Sequence, residues 1–189
     1  MKKLKILILF IVFIIGLFVF CKKKEFDGSY FIAQNFLKIV DTTSFKTGSL
    51  IFLRNENEFN SINPTIFLSP EISYNKKIDE IIKDKINTKE TLARKYRKLI
   101  YASNSLNFDL NQNFPKKIGK FLIVFDEKLA TSKDNYSGNI YFQNFKIEND
   151  LAILVLNLSV DKHVKSYIIF MERKNHIWQL VSKELLYVS

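Results

Sequence analysis

The stretch Leu151–Val160, which reads LAILVLNLSV, decides the fold. Its first six residues are all apolar, so a strand formed here would be apolar on both faces. Strands of that kind lie in the middle of a sheet, where both faces are buried. The stretch therefore predicts a central strand.

Four further strands are predicted around this stretch. They cover residues 121–125, 140–147, 165–173 and 176–188. The connections after the central strand are residues 161–164 and 174–175. Because these connections are short, neighbouring strands are expected to form antiparallel hairpins. The C-terminal part of the chain thus predicts an antiparallel meander.

Within residues 140–147 the side chains alternate only in part. A period of two predicts Ile140 and Phe142 on one face of the strand. The other face would then carry Tyr141, Gln143, Phe145 and Ile147. Such alternation is typical of a half-buried strand.

The first half of the chain predicts helices. Residues 26–41 place Tyr30, Ala33, Leu37 and Val40 near one face of a short helix. Residues 76–103 are the clearest helical region, since isoleucines recur there at Ile78, Ile81, Ile82 and Ile86. Asn87 followed by Glu90 resembles a capping box, which predicts the start of a second helix.

Short strands are predicted at residues 50–53 and 65–68. The fold class that follows is α+β. Helices from the first half of the chain are expected to pack on a mostly antiparallel C-terminal β-sheet, a meander, in a single domain over residues 22–189.

The net charge of the chain is +10, from 29 Lys and Arg against 19 Asp and Glu. Only four of the basic residues are Arg, the side chain whose planar fork matches phosphate. The excess of Lys accompanies abundant Ile, Asn and Phe, as expected of a chain from an A/T-rich genome. The charge alone therefore does not indicate a nucleic-acid partner.

The N-terminus has the order of a secretory signal, a basic start followed by an apolar stretch. Residues 1–5 contain three Lys, and residues 6–20 contain no polar side chain. The segment over residues 4–21, apolar apart from Lys5, has 18 residues, or about 27 Å as a helix, close to the roughly 30 Å core of a bilayer. Residues 1–21 therefore predict a signal or membrane-anchor segment.

Cys21 is the only Cys in the chain. It follows the apolar run, where a bacterial lipoprotein would be cleaved and acylated, but Phe18 and Phe20 stand where a lipobox has Leu and a small residue. The sequence fits both a lipidated Cys21 and an uncleaved transmembrane helix. Either one tethers residues 22–189 to a membrane of the bacterial cell envelope, outside the cytoplasm.

The titratable side chains predict no catalytic, cofactor-binding or metal-ligating residue. His163 and His176 are separated by a strand of about nine residues, or roughly 30 Å, so they are not expected to share a metal ion. Asp126 and Glu127, as neighbours following a strand, are expected to point to opposite faces. Cys21 belongs to the predicted anchor and is unavailable as a nucleophile.

The helical charges and the only Trp have structural interpretations. Asp79, Glu80 and Asp84 lie on a Lys-rich helix, where ion pairs between residues four apart explain them. The basic residues of the next helix are expected to form a solvated face, and they are Arg94, Lys95, Arg97 and Lys98. Trp178 is expected to pack on the core.

The C-terminal pattern resembles that of a known group of proteins. Residues 136–142 read YSGNIYF, residues 149–152 read NDLA, and residues 172–178 read ERKNHIW before a close on Val188 and Ser189. This pattern is similar to a family of small, uncharacterised bacterial envelope proteins and lipoproteins of Bacteroidetes-like genomes. The resemblance implies an envelope protein without enzyme activity. A looser likeness is to cone-shaped domains of the nuclear transport factor two-like kind, which implies helices packed into a curved sheet.

The leading expectation is a membrane-tethered envelope protein that binds a small molecule or a protein partner and needs no cofactor. The alternative is a small hydrolase-like enzyme with a pocket in the concave face of the sheet. A basic nucleic-acid-binding protein is a second, weaker alternative. Convergence of titratable groups in a pocket would favour the enzyme.

We expect the full-length protein to fractionate with membranes, because the uncharged run over residues 6–20 favours the bilayer. If Cys21 is lipidated, mass spectrometry will find a diacylglyceryl group on a peptide that begins at Cys21, and Cys21→Ala will block processing. If the anchor is a plain helix, Cys21→Ala will leave membrane association unchanged. Recovery of the native protein in the soluble fraction without detergent would contradict tethering.

Overall fold

The computed structural model describes residues 26–40, 63–102, 105–110, 113–160 and 163–189. The predicted anchor segment, Cys21 and the predicted strand at residues 50–53 lie outside these residues. Of the helices that the structure describes, none has both the length and the apolar character needed to cross a bilayer.

The described residues form four helices and nine strands. The helices are α1 (Gly28–Ile39), α2 (Lys76–Asn87), α3 (Glu90–Tyr101) and α4 (Glu127–Thr131). The short strands are β1 (Thr65–Leu68), β2 (Glu71–Ile72), β3 (Phe108–Asp109), β4 (Lys117–Ile118) and β5 (Phe121–Val124). The long strands are β6 (Tyr136–Glu148), β7 (Leu151–Val160), β8 (His163–Lys174) and β9 (Ile177–Val188).

Seven strands form one mixed sheet in the order β4-β5-β1-β6-β7-β8-β9, and β2 pairs with β3 separately. The strands β6 to β9 are antiparallel to their neighbours, which confirms the predicted meander. The strand β1 is parallel to both β5 and β6, so a strand from the first half of the chain extends the meander. The α+β prediction is confirmed, with a sheet that is mostly but not wholly antiparallel.

Helices cover both faces of this sheet. α1 packs on one face, here called the α1 face, and α2 with α3 packs on the other, the α2–α3 face. β7 shows the division most clearly, since Leu154 and Leu156 join the core under α1 while Ile153 and Val155 join the core under α2 and α3. All four side chains are buried, which confirms β7 as a central strand.

The helix predicted over residues 26–41 is present as α1, and the face named from the sequence packs on the sheet only in part, through Ala33 and Val40. The core side chains of α1 are Phe31, Ile32, Phe36 and Ile39, and they are at most 3% exposed. Tyr30 is 63% exposed and Leu37 is 50% exposed. Both sides of this helix are apolar, so periodicity alone could not decide which side the sheet would cover.

The helical region over residues 76–103 is confirmed as α2 and α3, but the predicted capping box is wrong. Lys89 occupies the N-cap of α3 and makes no side-chain capping bond. The side chain of Asn87 instead accepts a hydrogen bond from the Tyr101 hydroxyl at 3.0 Å. α3 begins two residues later than a box at Asn87 would place it.

The basic side of α3 is exposed, as predicted. Lys95 also reaches the sheet, where its ammonium lies 2.9 Å from the Glu172 carboxylate. This hydrogen bond holds the pKa of Glu172 below its ordinary value. Lys95, which was expected on a solvated face, therefore also helps to hold α3 on the sheet.

The prediction for Asp126 and Glu127 is wrong because neither residue lies on a strand. Asp126 is the N-cap of α4, and its carboxylate accepts a hydrogen bond from the Leu129 amide at 3.0 Å. Glu127 is the first residue of the helix and accepts a hydrogen bond from the Asn139 side chain at 3.0 Å. An Asp at this position is a common helix start signal.

A β-bulge in β6 overturns the predicted alternation of residues 140–147. Between Gln143 and Lys146 the strand has one residue more than its partner β7. Asn144 takes up the extra residue with a φ of 50°. As a result Phe145 lies on the α1 face together with Phe142, whereas a period of two had placed the two residues on opposite faces.

The bulge is held by the start of α2. The backbone amide of Asn144 donates to the Ser73 carbonyl oxygen at 3.0 Å. The Asn144 side chain accepts a hydrogen bond from the Asn75 amide at 3.0 Å and donates to the Asn75 carbonyl oxygen at 2.8 Å. Asn75 in turn caps α2, so the bulge and the helix start form one hydrogen-bonded unit.

The residue after the bulge forms a buried ion pair. Lys146 points to the α2–α3 face, where its ammonium lies 2.5 Å from the Asp79 carboxylate and also donates to the carbonyl oxygens of Ile100 and Ala102. The side chains of Lys146 and Asp79 are 3% and 2% exposed. Asp79 also pairs with Lys83 as the helical spacing predicted, at 3.0 Å.

We expect Asp79→Asn to lower the free energy of unfolding by about 3–5 kcal/mol, because it leaves the Lys146 charge buried without its partner. The double variant Asp79→Leu with Lys146→Met should cost much less than the sum of the single losses, since no charge is left buried. Urea unfolding of the full-length protein measures both, and Asp84→Asn on the exposed side of α2 is the matched control. A loss below 1 kcal/mol for Asp79→Asn would show that the pair is dispensable.

Candidate ligand cleft

A cleft of about 490 Å³ opens on the α1 face at one end of the sheet. One wall is the first part of α1, and the other is the turn that joins β8 to β9. Its volume lies within the range of roughly 300–1,000 Å³ that small-molecule sites occupy. The cleft therefore has the size of a ligand site.

The N-terminal end of α1 is held in place by a cap and by a close ring contact. The Asp27 carboxylate accepts a hydrogen bond from the Tyr30 amide at 2.9 Å. Gly28 lies against the ring of Phe108, and a Cβ at this position would come within 2.3 Å of that ring. Only glycine admits this approach, so the start of α1 sits directly on β3.

The floor of the cleft is aromatic. The ring centroid of Phe31 lies 5.1 Å from that of Trp178 in an edge-to-face arrangement and 4.9 Å from that of Phe145. Phe26 extends this group, with its centroid 5.9 Å from that of Phe31. Such pairs add about 0.5–1.5 kcal/mol each to the stability from burial alone, so the floor is rigid.

Trp178 packs on the core, as predicted, and it also lines the cleft. Its carbonyl oxygen accepts a hydrogen bond from the Lys38 ammonium at 2.5 Å, which ties β9 to α1. The prediction that Trp178 packs on the core is thus confirmed. That prediction did not include the part of the ring that borders the cleft.

Arg173 provides a cationic group beside this aromatic surface. Its guanidinium lies 5.5 Å from the centroid of the Trp178 ring, and the two residues are cross-strand partners in β8 and β9. Its Nε donates to the Asp150 carboxylate at 2.8 Å, and its backbone amide donates to the Asp150 carbonyl oxygen at 2.7 Å. Within the described part of the chain, both Nη atoms of Arg173 are without an acceptor.

The turn between β8 and β9 places His176 at the mouth of the cleft. The turn consists of Asn175 and His176, with φ values of 50° and 64°, and so lies one residue later than predicted. Two successive positive φ values define the hairpin turn that favours Asn followed by Gly. His176 stands at the glycine position and keeps a side chain there at a conformational cost.

The two histidines are at opposite ends of β8, as predicted. His163 is its first residue and pairs with Val160, whereas His176 follows its last residue, Lys174. Among the residues that the structure describes, no cluster of three His, Cys, Asp or Glu side chains could hold a metal ion.

The titratable side chains that line the cleft are Asp27, Tyr30, Arg173 and His176. Across the described ranges, no hydrogen bond or ion pair joins two of these four side chains. The arrangement presents a cation and an imidazole beside a rigid aromatic floor. It can hold an anionic group and an apolar body at the same time.

Sequence reasoning missed the cleft, although it named several of the residues. Trp178 was expected to pack on the core, Tyr30 was placed on one face of a short helix, and Arg173 was treated as the end of a strand. One signal was present, because a two-residue hairpin connection beginning with Asn favours Gly next and this chain has His176 there.

Comparison of the chain with protein-family models, with curated proteins and with solved structures finds no match. The resemblance of residues 136–189 to bacterial envelope proteins therefore stays a prediction. The chemistry of the cleft is what bears on function.

We expect His176→Gly to raise the free energy of unfolding by about 0.5–1 kcal/mol, since glycine adopts a positive φ without the steric cost that His pays. Thermal or urea unfolding measures the change. Asn175→Gly is the matched control, and it should gain less because Asn tolerates the left-handed region better than most residues. A destabilised His176→Gly variant would show that the imidazole makes contacts that outweigh the cost of the turn.

Proposed function

We propose that this chain is a membrane-tethered, non-enzymatic binding module. Its ligand would be a small molecule with an apolar body and an anionic group, held in the cleft between α1 and the β8–β9 turn. The observation that carries the proposal is the position of Arg173, whose Nη atoms are free beside the Trp178 ring among the described residues.

The charges around the cleft support an anionic ligand. A guanidinium with two free Nη groups can accept a carboxylate or a phosphate in a bidentate manner. His176 at the mouth adds a ring N–H donor. Asp27 caps α1, and Asp150 binds the Nε of Arg173, which leaves the Nη atoms of the guanidinium to a ligand.

The same geometry favours binding over hydrolysis. A hydrolase needs a nucleophile and a base within hydrogen-bond reach of each other. The described side chains of the cleft show no such pair, and Tyr30, the hydroxyl among them, is 63% exposed at the opening. An activity assay tests whether other residues assemble a catalytic site.

A nucleic-acid partner has less support. The basic residues of α3 lie on the opposite side of the sheet from the cleft, and two of them pair with acids. Lys95 lies 2.9 Å from Glu172, and Lys98 lies 3.9 Å from Glu148. The aromatic floor of the cleft is on the α1 face, away from this charge.

The tether is proposed from the sequence. The segment over residues 4–21, apolar apart from Lys5, supports either an uncleaved helix or a lipid on Cys21. Both would hold the binding module in the bacterial cell envelope. In the envelope, the anchor would keep the ligand that the module binds near the membrane.

Trp178 is the only Trp in the chain and lines the cleft, so it reports directly on binding. We expect anilinonaphthalene sulfonate, which joins aromatic rings to an anion, to bind the full-length protein saturably and to accept energy from Trp178. Arg173→Gln should weaken this binding about tenfold, because one charged hydrogen-bonding group is lost.

Arg97→Gln removes the same charge from the exposed side of α3 and is the matched control. Equal affinity of the Arg173→Gln and Arg97→Gln variants would refute the site. Hydrolysis of nitrophenyl esters by the wild type that His176→Ala abolishes would favour the enzyme instead.

A further inference from the structure

We infer that the ligand of the cleft is a lipid with an anionic head group, taken from the membrane to which the protein is tethered. This inference rests on the proposed function, since it names the ligand class of that same site. Three features support it. They are the short chain between the predicted tether and the cleft, the exposed aromatic rim, and the separation of the cleft into a charged part and an apolar part.

The chain length between the tether and the cleft is short. Phe26, which lines the cleft, follows Cys21 by five residues. Five residues span at most about 18 Å, whatever their conformation. The α1 wall of the cleft therefore cannot lie farther than this from the end of the apolar run, and a tethered domain must keep the cleft beside the bilayer.

The rim of the cleft has the residues that suit a membrane surface. Phe26 is 41% exposed and Tyr30 is 63% exposed, and both line the opening. Aromatic side chains of this kind are favoured at the level of lipid head groups, where one part of the ring is apolar and another is hydrated.

The basic groups near the opening favour an anionic surface. Arg173 and His176 line the cleft, and Lys174 lies between them in sequence with its ammonium 3.0 Å from Glu172. Lys22, Lys23 and Lys24 precede the described domain in the sequence. Each basic residue near an anionic leaflet adds roughly 1 kcal/mol of attraction.

The interior of the cleft matches the two parts of a lipid. The head group would bind the free Nη atoms of Arg173, and the apolar part would contact Phe31 and Trp178 on the floor. The volume of about 490 Å³ suits one chain or one head group with part of a chain. The lipid would thus be partly withdrawn from the bilayer, and the rest of it would stay outside the cleft.

The test uses the full-length protein reconstituted into vesicles, with Trp178 as the reporter. The lipids carry bromine on their acyl chains, which quenches a Trp that they contact. We expect at least twofold stronger quenching in vesicles with phosphatidylglycerol than in vesicles of phosphatidylcholine alone. Arg173→Gln should remove most of this difference, and Arg173→Lys, which keeps the charge, should retain part of it.

A relocated reporter is the matched control. In the variant Trp178→Phe with Tyr101→Trp, the only Trp lies on α3, on the opposite side of the sheet, where Tyr101 is 55% exposed. Its quenching should be weak and independent of the head group. Equal quenching at both positions would show contact without a site and would overturn the inference.

Two further outcomes separate this inference from the proposed function. If the sulfonate probe binds in the cleft but lipids neither quench Trp178 nor displace the probe, the lipid is wrong and the binding module stands. If glycerol phosphate displaces the probe as well as lysophosphatidylglycerol does, the ligand is a free anion and the lipid is again wrong. If the probe itself fails to bind, both proposals fall.

Discussion

The extra residue in β6 is the constraint on which most of the structure depends. Asn144 absorbs it, and its side chain binds Asn75 at the start of α2. Beyond the bulge, Phe145 turns toward α1 and supports Phe31 of the cleft floor from below, while Lys146 turns to the other face and meets Asp79. Without the bulge every later side chain of β6 would face the wrong way, placing a charge under α1 and a ring under α2. One inserted residue thus couples the core, a buried ion pair and the cleft.

The parts of the fold that depend on local pattern could be predicted from the sequence. The meander follows from short connections, and β7 follows from its uninterrupted apolar residues. The parts that depend on distant partners could not be predicted. The parallel pairing of β1 with β6 joins Thr65 to Tyr136, and nothing near either residue indicates it. The bulge likewise needs Asn75, which lies far away along the chain.

The cleft could not be predicted either, because it too depends on residues that are far apart in the sequence. Its two walls come from opposite ends of the domain, α1 and the β8–β9 turn, so no motif in the sequence spans it. The exposed position of Tyr30 depends on which apolar side of α1 meets the sheet, and that choice is made by the packing of Phe31 on Phe145. His176 breaks a local rule, since it has a positive φ where a turn favours Gly, and such departures concentrate where function opposes stability.

The position of β1 also has a consequence for how the molecule assembles and opens. The strands β6 to β9 make contacts between neighbours in sequence, so little chain entropy opposes their pairing. β1 can enter between β5 and β6 only after a long loop has closed, and with four residues it brings few hydrogen bonds of its own. The meander should thus behave as the slowly exchanging unit in native-state hydrogen exchange. The half of the sheet formed by β4, β5 and β1 should open first, as a separate cooperative unit, while β7 stays protected to the level of global unfolding.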